Sequence, residues 1–170
     1  PEQWGAPTLC AGWRVREVVA HITMPYRLTA DEFTSGLANA GYDFNQYADE
    51  QARADTARLS DDELLASLRD NVDHPWQPPG GGATAALSHD VIHGLDITEP
   101  LGLQPSPPAR IALVLNDAGE KNLEYFGTSL DGIRLVASDA DVTLGDGTTV
   151  ELPARDILLA VTGRHPMPTP

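Results

Sequence analysis

Two histidines four residues apart, His89 and His93, lie in a segment that glycine and proline joints bound on both sides. Gly80-Gly81-Gly82 precedes the segment and Pro100 follows it, so the pattern predicts a helix over about residues 83–98. Residues at positions i and i+4 of a helix lie on one face, with Cβ atoms about 5–6 Å apart. Both imidazoles can therefore reach one divalent ion at a Zn–N distance of about 2.0–2.1 Å.

Apolar residues at helical spacing, with caps and breakers between them, predict further helices. These helices are expected over about residues 14–22, up to 39, 43–57, from 60, and 108–126. Pro25 should interrupt the first of them, because its ring removes one backbone donor. Ser60 and Glu63 match a capping box, in which two side chains satisfy backbone groups at the start of a helix.

The last part of the chain has a different pattern. Residues 133–137 are typical of a strand, and a short helix is expected over residues 153–163. Between them, residues 141–144 and 148–152 flank Gly145-Asp146-Gly147, which predicts a β-hairpin formed by these two segments. The chain is therefore expected to be mainly α-helical, with a small β-hairpin-plus-helix piece at the end.

The charge of the chain limits its partners. Acidic residues number 25 against 11 basic residues, which gives a net charge of −14. Nucleic acid and anionic membranes both bind clustered Lys and Arg, so neither is expected as a partner. No apolar run approaches the roughly 20 residues that span a bilayer, and no signal peptide is visible. The single cysteine, Cys10, cannot form an internal disulfide, so a cytoplasmic location is expected.

Two further residues could complete a metal site. His21 lies at the edge of the apolar stripe of its helix, and three neutral nitrogen ligands with one open position are typical of catalytic zinc. Asp96 follows His93 by three residues and can accept the second N–H of that imidazole, which would fix its tautomer. The residues alone leave alternatives open: surface or capping histidines, a His21 at the edge of the core, and an Asp96 on a helix surface.

Other catalytic motifs are absent from the sequence. It contains no P-loop, no GxGxxG, no Cys-x-x-Cys and no GxSxG elbow. Cys10 has no sequence-adjacent base that would support it as a nucleophile. His74 lies in a proline-rich loop and His165 in the tail, and neither has a partner at ligand spacing.

Three separated motifs resemble one known family. The segment PTLCAGWRVREVVAH, residues 7–21, resembles the PT-x-C-x-GW-x-V-x-(D/E)-V-V-x-H signature of the mycothiol-dependent maleylpyruvate isomerase family, one of the DinB-like metal-binding four-helix bundles. Residues 93–97, followed by Pro100-Leu101-Gly102, are similar to the second signature of that family. The tail, over residues 132–139, 145–147 and 159–164, resembles the C-terminal extension of many members.

The resemblance implies a domain organisation. A DinB-like four-helix bundle is expected over residues 1–127, with a small α+β extension packed on it over residues 128–170. The first helix of the family normally lies before the Trp4 region, and the sequence does not contain it. Either this sequence starts after that helix, or another element or a second subunit completes the bundle. A homodimer is expected, because exposed apolar surface favours association.

The resemblance also implies a divalent metal, most often zinc, with His21, His89 and His93 as its ligands. The isomerases themselves typically carry glutamate at the position of His89, and a third histidine leaves the ion more positive. Arg164 is expected near the site, where it would bind an acidic group of the substrate or of the thiol; the alternative is a surface arginine of the tail.

The expected function is transfer of a low-molecular-weight thiol, or isomerisation that uses one. A metal-bound thiolate of a thiol such as mycothiol would add to a small-molecule electrophile. Asp96 and Arg164 are the expected catalytic residues. Two alternatives stay open: hydrolysis by metal-bound hydroxide, with Asp90 or Asp96 as the base, and a non-catalytic, metal-stabilised module that binds an apolar ligand.

Overall fold

The computed structural model describes residues 2–117 and 120–169, with the side chains of all these residues except 120–122. The protein is mainly helical, as the sequence predicts, and carries a small three-stranded sheet in its last part. It divides into two compact units: Pro1–Trp76 with Glu99–Gly102, and Gln77–Thr98 with Leu103–Pro170. The helices expected in one bundle are thereby shared between two units, and the predicted domain boundary near residue 127 stays a prediction.

The helices of the first unit follow the sequence pattern closely. They are α1 (Val15–Thr23), α2 (Ala30–Asn39), α3 (Phe44–Arg58) and α4 (Asp61–Arg69). A 3-10 turn over Met24–Tyr26 ends α1, as the position of Pro25 predicts. The capping box of α4 is confirmed: the Glu63 N–H donates to the Ser60 hydroxyl, and the Glu63 carboxylate accepts from the Ser60 N–H at 2.8 Å.

Helix α1 contacts both α3 and α4, and its side chains from Glu17 to Thr23 are all buried. Burial extends beyond the apolar stripe and includes Glu17, a charged residue that needs a partner. The guanidinium of Arg14 donates to the Glu17 carboxylate, with Nε 3.0 Å from Oε2. Burial raises the pKa of Glu17, but the hydrogen bonds from Arg14 outweigh it and hold the pKa below its usual value. His21 lies in the second half of this helix and is buried with it.

A buried ion pair ties α3 to the segment after α1. Asp55, on α3, is 1% exposed, and its carboxylate accepts from Arg27 at 2.7 Å and from Arg58 at 2.9 Å. Arg27 also donates to the backbone oxygen of Ala20 at 2.7 Å and to the hydroxyl of Ser67, on α4, at 3.2 Å. One arginine thus connects three elements of the first unit.

The second unit combines helices with the sheet. Its elements are α5 (Gly82–Thr98), α6 (Pro108–Asp117), α7 (Glu120–Phe126), β1 (Ile133–Ala137), β2 (Thr143–Leu144), β3 (Thr148–Leu152) and α8 (Ala154–Val161). The predicted helix over 108–126 corresponds to α6 and α7, and its continuity across residues 118 and 119 lies outside the described residues. Helix α8 contacts α5, α6 and β1, with Ile157, Leu158 and Leu159 at most 1% exposed.

The strand order in the sheet is β2-β1-β3. Strand β1 pairs antiparallel with β2, where Leu135 is opposite Leu144, and parallel with β3, where Leu135 is opposite Val150. The predicted pairing of residues 141–144 with 148–152 is therefore wrong, because both segments pair with β1 instead. The chain does bend over residues 145–147, as the two glycines predict. Gly147 has a φ of 138°, and a Cβ there would lie 2.3 Å from the carbonyl carbon of Gly132.

No helix in the described part of the chain is both long and apolar enough to cross a membrane.

Candidate metal centre

Helix α5 brings His89 and His93 together. Their ring centroids are 4.9 Å apart, with an interplanar angle of 78°, and both side chains are mostly buried. This arrangement confirms that the two imidazoles lie on one face of a single helix, as the i and i+4 spacing predicts. Two nitrogen donors at this separation can bind the same divalent ion.

Each of the two imidazoles has a carboxylate at its Nδ1 atom. His93 Nδ1 is 2.9 Å from Asp96 Oδ2, and His89 Nδ1 is 3.1 Å from Asp90 Oδ1. Because an ionised carboxylate only accepts hydrogen bonds, the proton of each neutral ring belongs on Nδ1. The lone pair is then on Nε2, the atom through which such a ring can bind a metal. The predicted contact from Asp96 back to His93 is confirmed.

Burial is the largest influence on His93 and lowers its pKa, and the neighbouring His89 adds to this effect. The hydrogen bond to Asp96 opposes it. The net pKa lies below the usual value of 6.5, so the ring is neutral at pH 7. Neutral imidazole is the form that binds metal ions.

Asp96 is fully buried and is also bound to Arg164. The guanidinium Nε donates to Oδ1 at 3.0 Å and Nη2 donates to Oδ2 at 3.0 Å. Sequence reasoning placed both residues near the site but did not pair them, since they are 68 positions apart and no local pattern links them. The expected catalytic role of Asp96, and the expected contact of Arg164 with an acidic group of a substrate, stay predictions.

His21 belongs to the first unit, where it is surrounded by aromatic residues. Its ring centroid is 5.2 Å from that of Trp13 and 6.4 Å from that of Phe44. Trp13 is fixed in turn, because its indole N–H donates to Asp49 at 2.6 Å. The structure thus groups His89, His93, Asp96 and Arg164 within the second unit, and a shared ion that includes His21 stays a prediction.

A groove of about 400 Å³ lies between α5 and α6 in the second unit. It is lined by Ala83, Thr84, Leu87, Leu113, Asn116 and Asp117. Ala83, Thr84 and Leu87 belong to α5 and precede both histidines, and the other three residues belong to α6.

Comparison with known proteins supports the family resemblance. Residues 1–75 match the family model of the mycothiol maleylpyruvate isomerase N-terminal domain. No curated protein and no solved structure matches the chain. The matched region contains the whole first signature, which ends at His21, and residues 76–170 lie outside it. Over residues 1–75 this chain is therefore similar to the mycothiol maleylpyruvate isomerase N-terminal domain.

Proposed function

We propose that the protein is a divalent-metal-dependent enzyme that transfers a low-molecular-weight thiol such as mycothiol, or uses it to isomerise a small electrophile. The family of residues 1–75 supports the thiol. The observation that carries the proposal is the pair His89 and His93, which lie on one helix face, each with a carboxylate at Nδ1. Imidazoles oriented in this way by carboxylates are typical of metal centres.

The proposed ligands are His21, His89 and His93, with zinc as the metal. A set of neutral imidazoles suits zinc, and three protein ligands leave one position for a substrate. His21 is included because it ends the signature that the matched domain contains. A bound zinc ion would supply positive charge that favours the deprotonated form of a coordinating thiol.

The chain's own residues have distinct parts in this proposal. His89 and His93 hold the ion, and Asp96 keeps the proton of His93 on Nδ1, which raises the basicity of the ligand atom. Asp90 does the same for His89 less firmly, because its side chain is 54% exposed. Both oxygens of Asp96 already accept hydrogen bonds, so this carboxylate is poorly placed to take a proton from water. Because Asp96 is occupied in this way, hydrolysis would need Asp90 as its base. We therefore favour thiol transfer over hydrolysis.

The proposal extends to partners and location. The partners are a low-molecular-weight thiol and a small electrophile, with neither nucleic acid nor a membrane involved. A thiol substrate would be kept reduced in the cytoplasm, which is the proposed location. A homodimer is also proposed, and the molecular mass in solution, measured by light scattering, would test it.

The metal is the first part to test. Protein purified without a chelator or a His tag would be assayed for metal by mass spectrometry, as wild type, as His93→Ala and as His165→Ala. His165 is the matched control, since it is a histidine of the same unit that is not a proposed ligand. We expect near-stoichiometric zinc in the wild type and in His165→Ala, and loss of most of it in His93→Ala.

Turnover then separates the function from its alternatives. With zinc present, we expect consumption of electrophile that requires both mycothiol and His93. Turnover without any thiol would instead indicate hydrolysis. Bound zinc with no turnover across a panel of electrophiles would indicate a ligand-binding module. Wild-type protein that holds no metal, even after zinc is added back, would overturn the proposal.

A further inference from the structure

We infer that Arg164 is a positioning residue that sets the tautomer of His93 through Asp96. This inference rests on the proposed function only where it concerns metal affinity, because the hydrogen-bonded chain from Arg164 to His93 is described by the structure without any ion. The chain has three members, Arg164, Asp96 and His93, all in the second unit.

The contact between Arg164 and Asp96 is two-pronged. Nε and Nη2 of the guanidinium each donate to a different oxygen of Asp96, both at 3.0 Å. A planar guanidinium that engages both oxygens fixes the plane of a carboxylate, which a single contact does not. Oδ2 is therefore held where it accepts from His93 Nδ1 at 2.9 Å.

Arg164 is itself held by the fold. Its Nη1 donates to the backbone oxygen of Thr162 at 3.0 Å, and its guanidinium carbon lies 5.5 Å from the centre of the Phe126 ring. The backbone turns sharply just before it, at Gly163, whose φ of 71° suits glycine. The arginine is thus fixed by the end of α8 and by the end of α7, and it transmits that position to Asp96.

A substrate anion that took the Nε and Nη2 edge of Arg164 would break this arrangement. The guanidinium would then have to leave a carboxylate that is fully buried. Removing one partner of a buried ion pair is strongly unfavourable, because the remaining charge is left uncompensated. The side chain of Arg164 is also only 15% exposed. The geometry therefore assigns the Nε and Nη2 edge of the arginine to Asp96.

The test reads the tautomer directly, in protein stripped of metal. Nitrogen NMR of ¹⁵N-labelled histidine distinguishes Nδ1–H from Nε2–H, at about pH 8, where an unperturbed imidazole is neutral. The variants are Arg164→Met, which removes the two donors, and Arg164→Lys, which keeps the charge without the fork. Arg155→Met is the matched control, because Arg155 lies on α8 and contacts Asp156 on the same helix.

In the wild type and in Arg155→Met we expect His93 to carry its proton on Nδ1. In Arg164→Met we expect a mixture of tautomers and zinc affinity about 10–100-fold weaker, which is typical of losing such an outer partner. Arg164→Lys should lie between them, and it serves as the test variant if Arg164→Met does not fold. A folded Arg164 variant with the wild-type tautomer would overturn the inference. Absence of zinc binding in every protein would count against the proposed function alone, since the tautomer is read without metal.

Discussion

The two units of the protein each bury one aspartate, and they pair it differently. Asp55 in the first unit pairs with two arginines, Arg27 and Arg58. Asp96 in the second unit accepts from one arginine, Arg164, and from one imidazole, His93. Both carboxylates are at most 1% exposed, so neither could be tolerated as a charge without these partners.

The difference lies in the partner that each aspartate positions. Guanidinium groups have no lone pair to offer and stay charged at every accessible pH, so Arg27 and Arg58 present no ligand atom. An imidazole has a second nitrogen, so the charge of Asp96 influences the basicity of His93 Nε2. The same type of buried ion pair joins elements in the first unit and orients an imidazole in the second.

Removing Asp55 from its pairs with Arg27 and Arg58 should have the largest effect on stability. Asp55→Ala leaves Arg27, whose side chain is 14% exposed, without its counter-charge. We expect a loss of about 3–5 kcal/mol in the free energy of unfolding, measured by urea denaturation. Asp70→Ala is the control, since Asp70 pairs with Arg69 on the surface. A loss in Asp55→Ala no larger than that in the control would show that the network contributes no net stability.

Weakening the hydrogen bonds among Arg164, Asp96 and His93 should change metal binding. Asp96→Asn removes the negative charge that His93 faces, and we expect zinc affinity to fall about 10–100-fold, or about 1.4–2.7 kcal/mol. Competition with a chromogenic chelator gives this value. Asp55→Asn is the matched control and should bind zinc like the wild type under conditions where it stays folded. Equal zinc affinities of Asp96→Asn and Asp55→Asn would show that Asp96 has no special influence on metal binding.

Protonation of Asp55 at low pH should destabilise the protein less than Asp55→Ala does. Burial raises the pKa of Asp55, but hydrogen bonds from Arg27 and Arg58 lower it further, so its net pKa in the folded protein lies below the usual value of 3.8. Its contribution to stability is present above the unfolded pKa and is lost as pH falls through the folded pKa. We expect the slope of unfolding free energy against pH, below about pH 5, to be steeper in the wild type than in Asp55→Asn. Parallel slopes would show that the folded and unfolded pKa values of Asp55 are equal.

An exposed pair of the same chemistry should show the smallest effect. Arg53 and Asp49 lie one helical turn apart on α3 at 2.9 Å, with both side chains well exposed. Solvent screens such pairs, so Arg53→Ala should leave the melting temperature unchanged within error. Asp49 keeps its hydrogen bond from Trp13 in this variant. A clear drop in melting temperature would mean that exposure alone does not separate this pair from the two buried ones.

Local patterns predict the helices and the histidine pair well. The apolar spacing before Pro25, the capping box at Ser60 and the spacing of His89 and His93 each depend on neighbours within four residues. The same locality predicts the contact between His93 and Asp96, three positions apart. These features follow from helix geometry once the helix is identified.

Distant pairings could not be predicted in this way. The glycine turn at residues 145–147 is correct, but a turn signal does not exclude a third strand, and β1 takes both segments as partners. The bond between Arg164 and Asp96 joins residues 68 positions apart, and that between Arg27 and Asp55 joins residues 28 apart. Periodicity carries no information about such contacts, because they depend on how the elements pack.

The separation between Asp96 and Arg164 has a consequence for biosynthesis. A ribosome completes α5, with both histidines, long before it adds the arginine 68 residues later. Chains are made at about 5–20 residues per second, so this interval lasts roughly 3–14 seconds. Throughout it, the guanidinium of Arg164 is not yet available to the carboxylate of Asp96, and burying that carboxylate without it is unfavourable. The order of synthesis therefore delays the finished arrangement around His93 until the end of α8 has emerged.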